Sequence, residues 1–122
     1  MKFTLYILLV AMLAVTGPAR AEKAMGGIGV VTCDVWLNAR KTPQPDKEAL
    51  TEGLLLAWVQ GYLSSRNSNG LEENMVLDVP DHRVISKVLD KTCVQMPESK
   101  IYSIADDFAN TLIEMYRSTK RK

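Results

Sequence analysis

The chemistry open to this chain starts with Cys33 and Cys93, its only cysteines. In an oxidising compartment an even count points to one disulfide. The alternative is two separate buried thiols. A Cys33–Cys93 bridge closes a loop of about 60 residues, which the chain-entropy model values at roughly 4 kcal/mol. His82 is the only histidine and directly follows Asp81. Metal binding or proton transfer would require partners, and once the cysteines pair no Cys/His/carboxylate group has ligand spacing. It reads as a surface histidine. Asp106 and Asp107 are neighbours, but consecutive helix residues point about 100° apart and do not converge on one substrate atom. They read as a solvated face. Ser64, Ser65, Ser86 and Ser103 lack the strand-turn-helix setting of an activated nucleophile. Gly26-Gly27-Ile28-Gly29 has neither the full spacing nor the Lys-Ser/Thr of a phosphate loop. No catalytic residue, metal site or cofactor is expected, and an enzyme is not.

The compartment follows from residues 1–21, which read as a secretory signal peptide. Lys2 supplies the positive start, Phe3 to Val15 is nearly all apolar, and Ala19-Arg20-Ala21 is an A-x-A cleavage site after Gly17-Pro18. That apolar run is too short to cross about 30 Å of hydrocarbon, and no later segment is longer. The expected product is a soluble exported protein of about 100 residues beginning near Glu22, the size of one domain. No membrane contact is expected after cleavage. Without Lys2 and Arg20, the 15 basic side chains no longer outnumber the 14 acidic ones, and the mature charge is about −1. Nucleic-acid binding loses its usual electrostatic footprint.

The elements that must position these residues are helical. Residues 22–31, with Gly26, Gly27 and Gly29, are expected to form a flexible N-terminal arm, and residues 32–122 the helical domain. Thr32 is placed to cap a short helix holding Cys33, Val35, Trp36 and Leu37. Pro43 and Pro45 stop it. A second helix is predicted from about Lys47 to Arg66, where Leu50, Leu54, Leu55, Trp58, Tyr62 and Leu63 recur at three- and four-residue steps. Leu56, Ala57 and Val59 widen its apolar face beyond an ordinary stripe, so it is either the central core helix or it meets a partner. Gly53 and Gly61 within it mark either close helix packing or tolerated imperfection. Asn67 to Gly70 forms the turn that ends it.

Leu71 to Asp81 reads as a loop anchored by Met75-Val76-Leu77, with Asp78 a candidate cap. A third helix carries Val84, Ile85, Val88, Leu89 and Cys93. After Pro97 a fourth places Ile101, Ile104, Ala105, Phe108, Leu112, Met115 and Tyr116 on one face. The basic end from Arg117 to Lys122 is expected to complement the helix terminus and stay in solvent. No segment alternates with period two. The expected fold is all-α, a small four-helix domain whose disulfide ties the first short helix to the third.

Several short motifs form one pattern: Thr32-Cys33 followed by Trp36-Leu37, Trp58-Val59-Gln60-Gly61-Tyr62, Val76-Leu77-Asp78-Val79, and Cys93 with Pro97 and the amphipathic last helix. Together they resemble the HdeA/HdeB family of periplasmic acid-stress chaperones over residues 32 to 118. The resemblance implies a helical, disulfide-linked domain that is a homodimer at neutral pH. In acid it would release monomers whose apolar surfaces hold other unfolding proteins. It places those surfaces on Leu54, Leu55, Trp58, Val59, Tyr62 and Leu63, and on Val76, Leu77 and Val79. The Cys-to-Cys interval is longer than the family pattern, with extra loop around Gln44 and Asn69.

A second reading starts from Gly61-Tyr62 in a helix and the paired cysteines. These also resemble the small periplasmic immunity proteins that neutralise type VI secretion amidases, which would imply a preformed face for one secreted cell-wall hydrolase. A third is an accessory envelope protein without an acid role. In the first two the partners are other proteins.

Overall fold

The computed structural model describes residues 25–41, 45–69, 71–72 and 74–121. The expected signal peptide, Glu22 to Ala24 of the expected arm, and the Thr42-Pro43-Gln44 break lie outside the described residues. A 3-10 turn over Gly27–Val30 is followed by four α-helices: α1 (Cys33–Lys41), α2 (Pro45–Ser68), α3 (His82–Gln95) and α4 (Ile101–Lys120). The fold is all-α, and Cys33 of α1 is bonded to Cys93 of α3 with the Cα atoms 5.1 Å apart.

The buried side chains explain why these helices assemble. Trp36, Leu55, Val59, Leu63, Ile85, Leu89, Ile101 and Ala109 close around the disulfide, whose two cysteines are fully buried. Each comes from the apolar stripe of its own helix, so amphipathic pattern and core agree. Backbone pairing adds a clasp where the chain enters α1 and α4. The Cys33 amide donates to the Ser99 carbonyl at 2.9 Å, and the Ile101 amide to Val31 at 3.0 Å. This short antiparallel contact, with Thr32 opposite Lys100, holds the loop after Pro97 against the chain that precedes α1.

Several local expectations differ from the structure. Pro45 opens α2 instead of closing the helix before it, and α2 continues through Asn67 to Ser68, past the expected end at Arg66. The segment expected to be a flexible arm is, from Gly27, a turn packed on α2 and α4, with Ile28 and Val31 against the core. Apolar burial and close backbone approach outweigh the low helix propensity of its glycines. The cap of α3 is Asp81 rather than Asp78, its Oδ1 accepting from the Val84 amide at 3.0 Å. Capping is decided by where the first orphaned N–H groups lie, one residue past Pro80. On α4 the buried residue near the C-terminal end is Ile113, whereas Met115 is 59 % exposed. There the helix has left the main core and is covered by the loop, whose Met75 and Leu77 form a second small cluster with Ile113.

That loop is held by a side chain acting as a strand. Asn67 Oδ1 accepts from the Leu77 amide at 2.7 Å and its Nδ2 donates to the Leu77 carbonyl at 3.1 Å. Arg117 reaches from α4 to Glu72 and Glu114, so this basic residue pins the loop as well as ending the helix.

Candidate protein-binding face

α2 is apolar around most of its circumference, and the structure divides that circumference into three strips. Leu55, Leu56, Val59 and Leu63 form the core strip and are buried. Trp58 and Tyr62 form a half-buried aromatic strip, their rings stacked with centroids 5.5 Å apart. Leu50, Gly53, Leu54, Ala57 and Gly61 form an outer strip in solvent, with Leu50 63 % and Leu54 49 % exposed. A Cβ added to Gly53 or Gly61 would meet nothing within 4 Å. Among the described residues neither glycine marks close packing, and both keep the outer strip low.

Close packing is marked instead by Gly29, with Gly27 next to it. A Cβ on Gly29 would stand 2.2 Å from Cζ2 of Trp58, so the turn passes against the indole face with no room for a side chain. The Trp58 Nε1 donates to the Gly26 carbonyl at 3.2 Å. An aromatic that buries its body and satisfies its polar tip is held in one orientation. The sequence offered little to find this by, because the glycines lie 29 to 32 positions away from their ring.

Tyr62 is fixed from the opposite side. Its hydroxyl donates to Oδ1 of Asp106 at 2.6 Å, and Arg66 Nη1 donates to the same oxygen at 3.0 Å. Burial, followed by the hydrogen bond to Asp106, pushes the Tyr62 hydroxyl above the ordinary tyrosine range. Asp106 was expected to face water; instead it is the α4 acceptor that anchors the aromatic strip. Asp107 does face water. One position along the helix separates the two because only Asp106 looks across to α2.

The counterpart between α1 and α3 is Asp90. Its Oδ1 accepts from Trp36 Nε1 at 2.9 Å and from Arg40 Nε at 3.0 Å, and its Oδ2 from Arg40 Nη2 at 2.8 Å. Arg40 also donates from Nη1 to Glu52 of α2 at 3.0 Å and lies over the Trp36 ring. Asp90 was not anticipated. The signal available was that a fully buried Trp36 needs an acceptor for its indole N–H.

In the other predicted segment, Val76 is 67 % exposed and Leu77 is buried; Val79 is half-buried against the main core. Val76 edges a groove of about 320 Å³ with Leu112, Met115 and Tyr116. Of the sequence-predicted surface, then, Leu54 and Val76 are displayed and Trp58, Tyr62 and Val79 are partly covered. Leu55, Val59, Leu63 and Leu77 belong to the interior in this state. Asn67, one turn beyond Leu63 on α2, hydrogen-bonds both backbone groups of Leu77 and so ties the second predicted segment to the end of the first.

Polar side chains near α2 are engaged in structure. Ser64 and Ser65 donate to the Gln60 and Tyr62 carbonyls of their own helix. His82 meets Gln60 Oε1 at 3.0 Å and is exposed. Among the described residues no group of three or more His, Cys, Asp or Glu is placed to hold a metal ion, and no helix is long and apolar enough to cross a membrane. No protein-family model, curated protein or solved structure matches the chain.

Proposed function

We propose that this chain is an exported, non-catalytic protein-binding module that recognises other polypeptides through the outer strip of α2. The observation that carries this reading is that Leu50 and Leu54 stand exposed beside Gly53, Ala57 and Gly61 on a helix whose opposite strip is core. Large apolar side chains interspersed with residues of minimal bulk let a partner backbone approach closely. Isolated exposed leucines need no explanation, but an aligned strip of this kind does. The buried disulfide is consistent with an oxidising, periplasmic setting.

The resemblance to the acid-stress chaperones adds a second stage to this reading. At low pH the core strip, Leu55, Val59 and Leu63, would join the outer strip as surface for unfolding clients while the disulfide keeps the chain compact. Its support is Asp81, whose carboxylate is held below its ordinary range by the Val84 amide it caps, so that the stability it gives α3 is lost as pH falls through the lowered folded value. The folded-partner reading is supported by a different observation, that the outer strip is already formed without any rearrangement.

The deciding experiment compares suppression of aggregation of unrelated proteins by the mature chain at about pH 2–3 and at pH 7, for wild type and Leu54→Asp. Suppression in acid alone, weakened by Leu54→Asp, is the expected result. Absence of suppression together with no exposure of apolar area in acid would overturn the chaperone stage and leave the folded-partner reading. Identical behaviour of wild type and Leu54→Asp in suppression and in light scattering would overturn the assignment to α2.

A further inference from the structure

The outer face of α3 carries an excess of positive charge. Arg83, Lys87 and Lys91 follow one another at four-residue steps and all three are exposed, the Arg83 side chain to 90 %. Helix rise sets successive cations about 6 Å apart along the axis. Like charges one turn apart repel each other, so an ordinary solvated helix face intersperses acids among its bases. Here the interspersing acid, Asp90, is already committed: both of its oxygens are held by Trp36 and Arg40 from α1. Asp81 reaches Arg83 only at 3.3 Å, while its other oxygen caps the Val84 amide. Among the described residues neither Lys87 nor Lys91 has a carboxylate within ion-pair distance. The mature chain is close to neutral, so this ladder is a local segregation of charge rather than a consequence of composition.

The ladder borders a shallow cleft of about 480 Å³ between α1 and α3, where Arg40, Arg83 and Lys87 outnumber Asp81 and Asp90, the first of these acids capping α3 and the second held by α1. Val84 and, further along, Val94 are exposed and give the cationic face apolar footholds.

We propose that this face docks an acidic, extended segment of a partner protein. In an extended chain side chains alternate and rise about 3.3 Å per residue, so carboxylates at every second position stand about 6.6 Å apart. That spacing matches the ladder, and flexible Lys and Arg side chains absorb the difference. The α3 face is formed by residues separate from the outer strip of α2, and its use does not depend on the function proposed for that strip.

The test is fluorescence anisotropy of a labelled peptide of alternating Glu and Ser titrated with the full mature protein. The comparison is between wild type and the triple variant Arg83→Gln, Lys87→Gln, Lys91→Gln, whose fold is checked by circular dichroism. Glutamine retains helix propensity, and all three sites are on the surface. Three exposed charge pairs together amount to about a tenfold change in Kd, so the triple variant should bind about tenfold more weakly. Wild-type binding should weaken comparably when salt rises from about 0.05 to 0.3 M. Leu54→Asp on α2 should bind the peptide as wild type does, which separates failure of this proposal from failure of the α2 reading. No binding at millimolar protein, or equal binding by the triple variant, would overturn the proposal. So would capture of the protein by phosphatidylglycerol vesicles in the absence of peptide binding, which would make the face a lipid contact.

Discussion

Gly29 lies directly against the indole of Trp58, close enough that a Cβ on the glycine would overlap three ring atoms, the nearest at 2.2 Å. The partner atoms belong to a rigid ring that is also fixed by the Trp58–Gly26 hydrogen bond and by stacking on Tyr62. Gly29→Ala therefore has to lift the turn or turn the ring. Overpacking of this kind costs about 1–3 kcal/mol. Urea denaturation should show that loss, with a red-shifted tryptophan emission before unfolding; unchanged stability and emission would mean the turn does not rest on Trp58 in solution.

The two tryptophans should differ sharply in what they contribute. Trp36 is fully buried and its N–H is the buried end of the Asp90 cluster, so Trp36→Ala should cost about 3–5 kcal/mol. Trp58 is half-buried, and Trp58→Ala should cost less than that. A larger loss at Trp58 than at Trp36, measured by chemical denaturation of both variants, would contradict the placement of the two rings.

Cys33 and Cys93 have no exposure, so the bridge should resist reductant while the chain is folded and yield to it in denaturant. A thiol assay on the denatured, unreduced protein should find no free thiol. Replacing both cysteines by alanine should cost about 2–5 kcal/mol, with the loop of 60 residues released in the unfolded chain.

The Tyr62 hydroxyl is raised by burial and by Asp106. A raised folded value means that the protonated phenol is favoured in the native state. The contribution to stability is fully present below the unfolded value of about 10 and is lost as pH rises through the higher folded value. Phenolate absorbance in an alkaline titration should show one tyrosine ionising late, and Tyr62→Phe should remove that late step. If every tyrosine ionises together in the native protein, the Tyr62–Asp106 bond is not kept in solution.

Asp81 moves the other way. The Val84 amide, and after it Arg83, hold its carboxylate below the usual range. The stability it contributes is present above an unfolded value of about 4 and disappears as pH falls through the depressed folded value. Asp81→Asn keeps an acceptor for the cap but cannot titrate. Its unfolding midpoint should vary less than that of wild type between about pH 5 and pH 2. A wild-type pH dependence in the variant would remove Asp81 from the acid response.

Much of the architecture was legible in residue order. Apolar residues at three- and four-residue steps, together with the prolines and polar turns between them, located the four helices. Two cysteines in a chain that reads as exported pointed to a Cys33–Cys93 bridge over two separate thiols, and the structure contains that bridge. Of the candidate surface, α2 could be recognised as too apolar for one buried stripe.

Residue order did not determine which strip of α2 would be covered. An all-round apolar helix has no preferred inward side until α1, α3, α4 and the turn at Gly27–Val30 take their places. Only then do Leu55, Val59 and Leu63 become core, Trp58 and Tyr62 partly covered, and Leu50 and Leu54 surface. The same holds for the polar anchors. Asp106 and Asp107 are alike in sequence, and Asp90 is one of several acids on helices. Long-range packing gives Asp106 to Tyr62 and Arg66 and Asp90 to Trp36 and Arg40, across 40 to 54 residues. Periodicity records which side chains share a face of one helix, whereas a hydrogen bond between helices depends on their relative placement, which exists only in the folded chain.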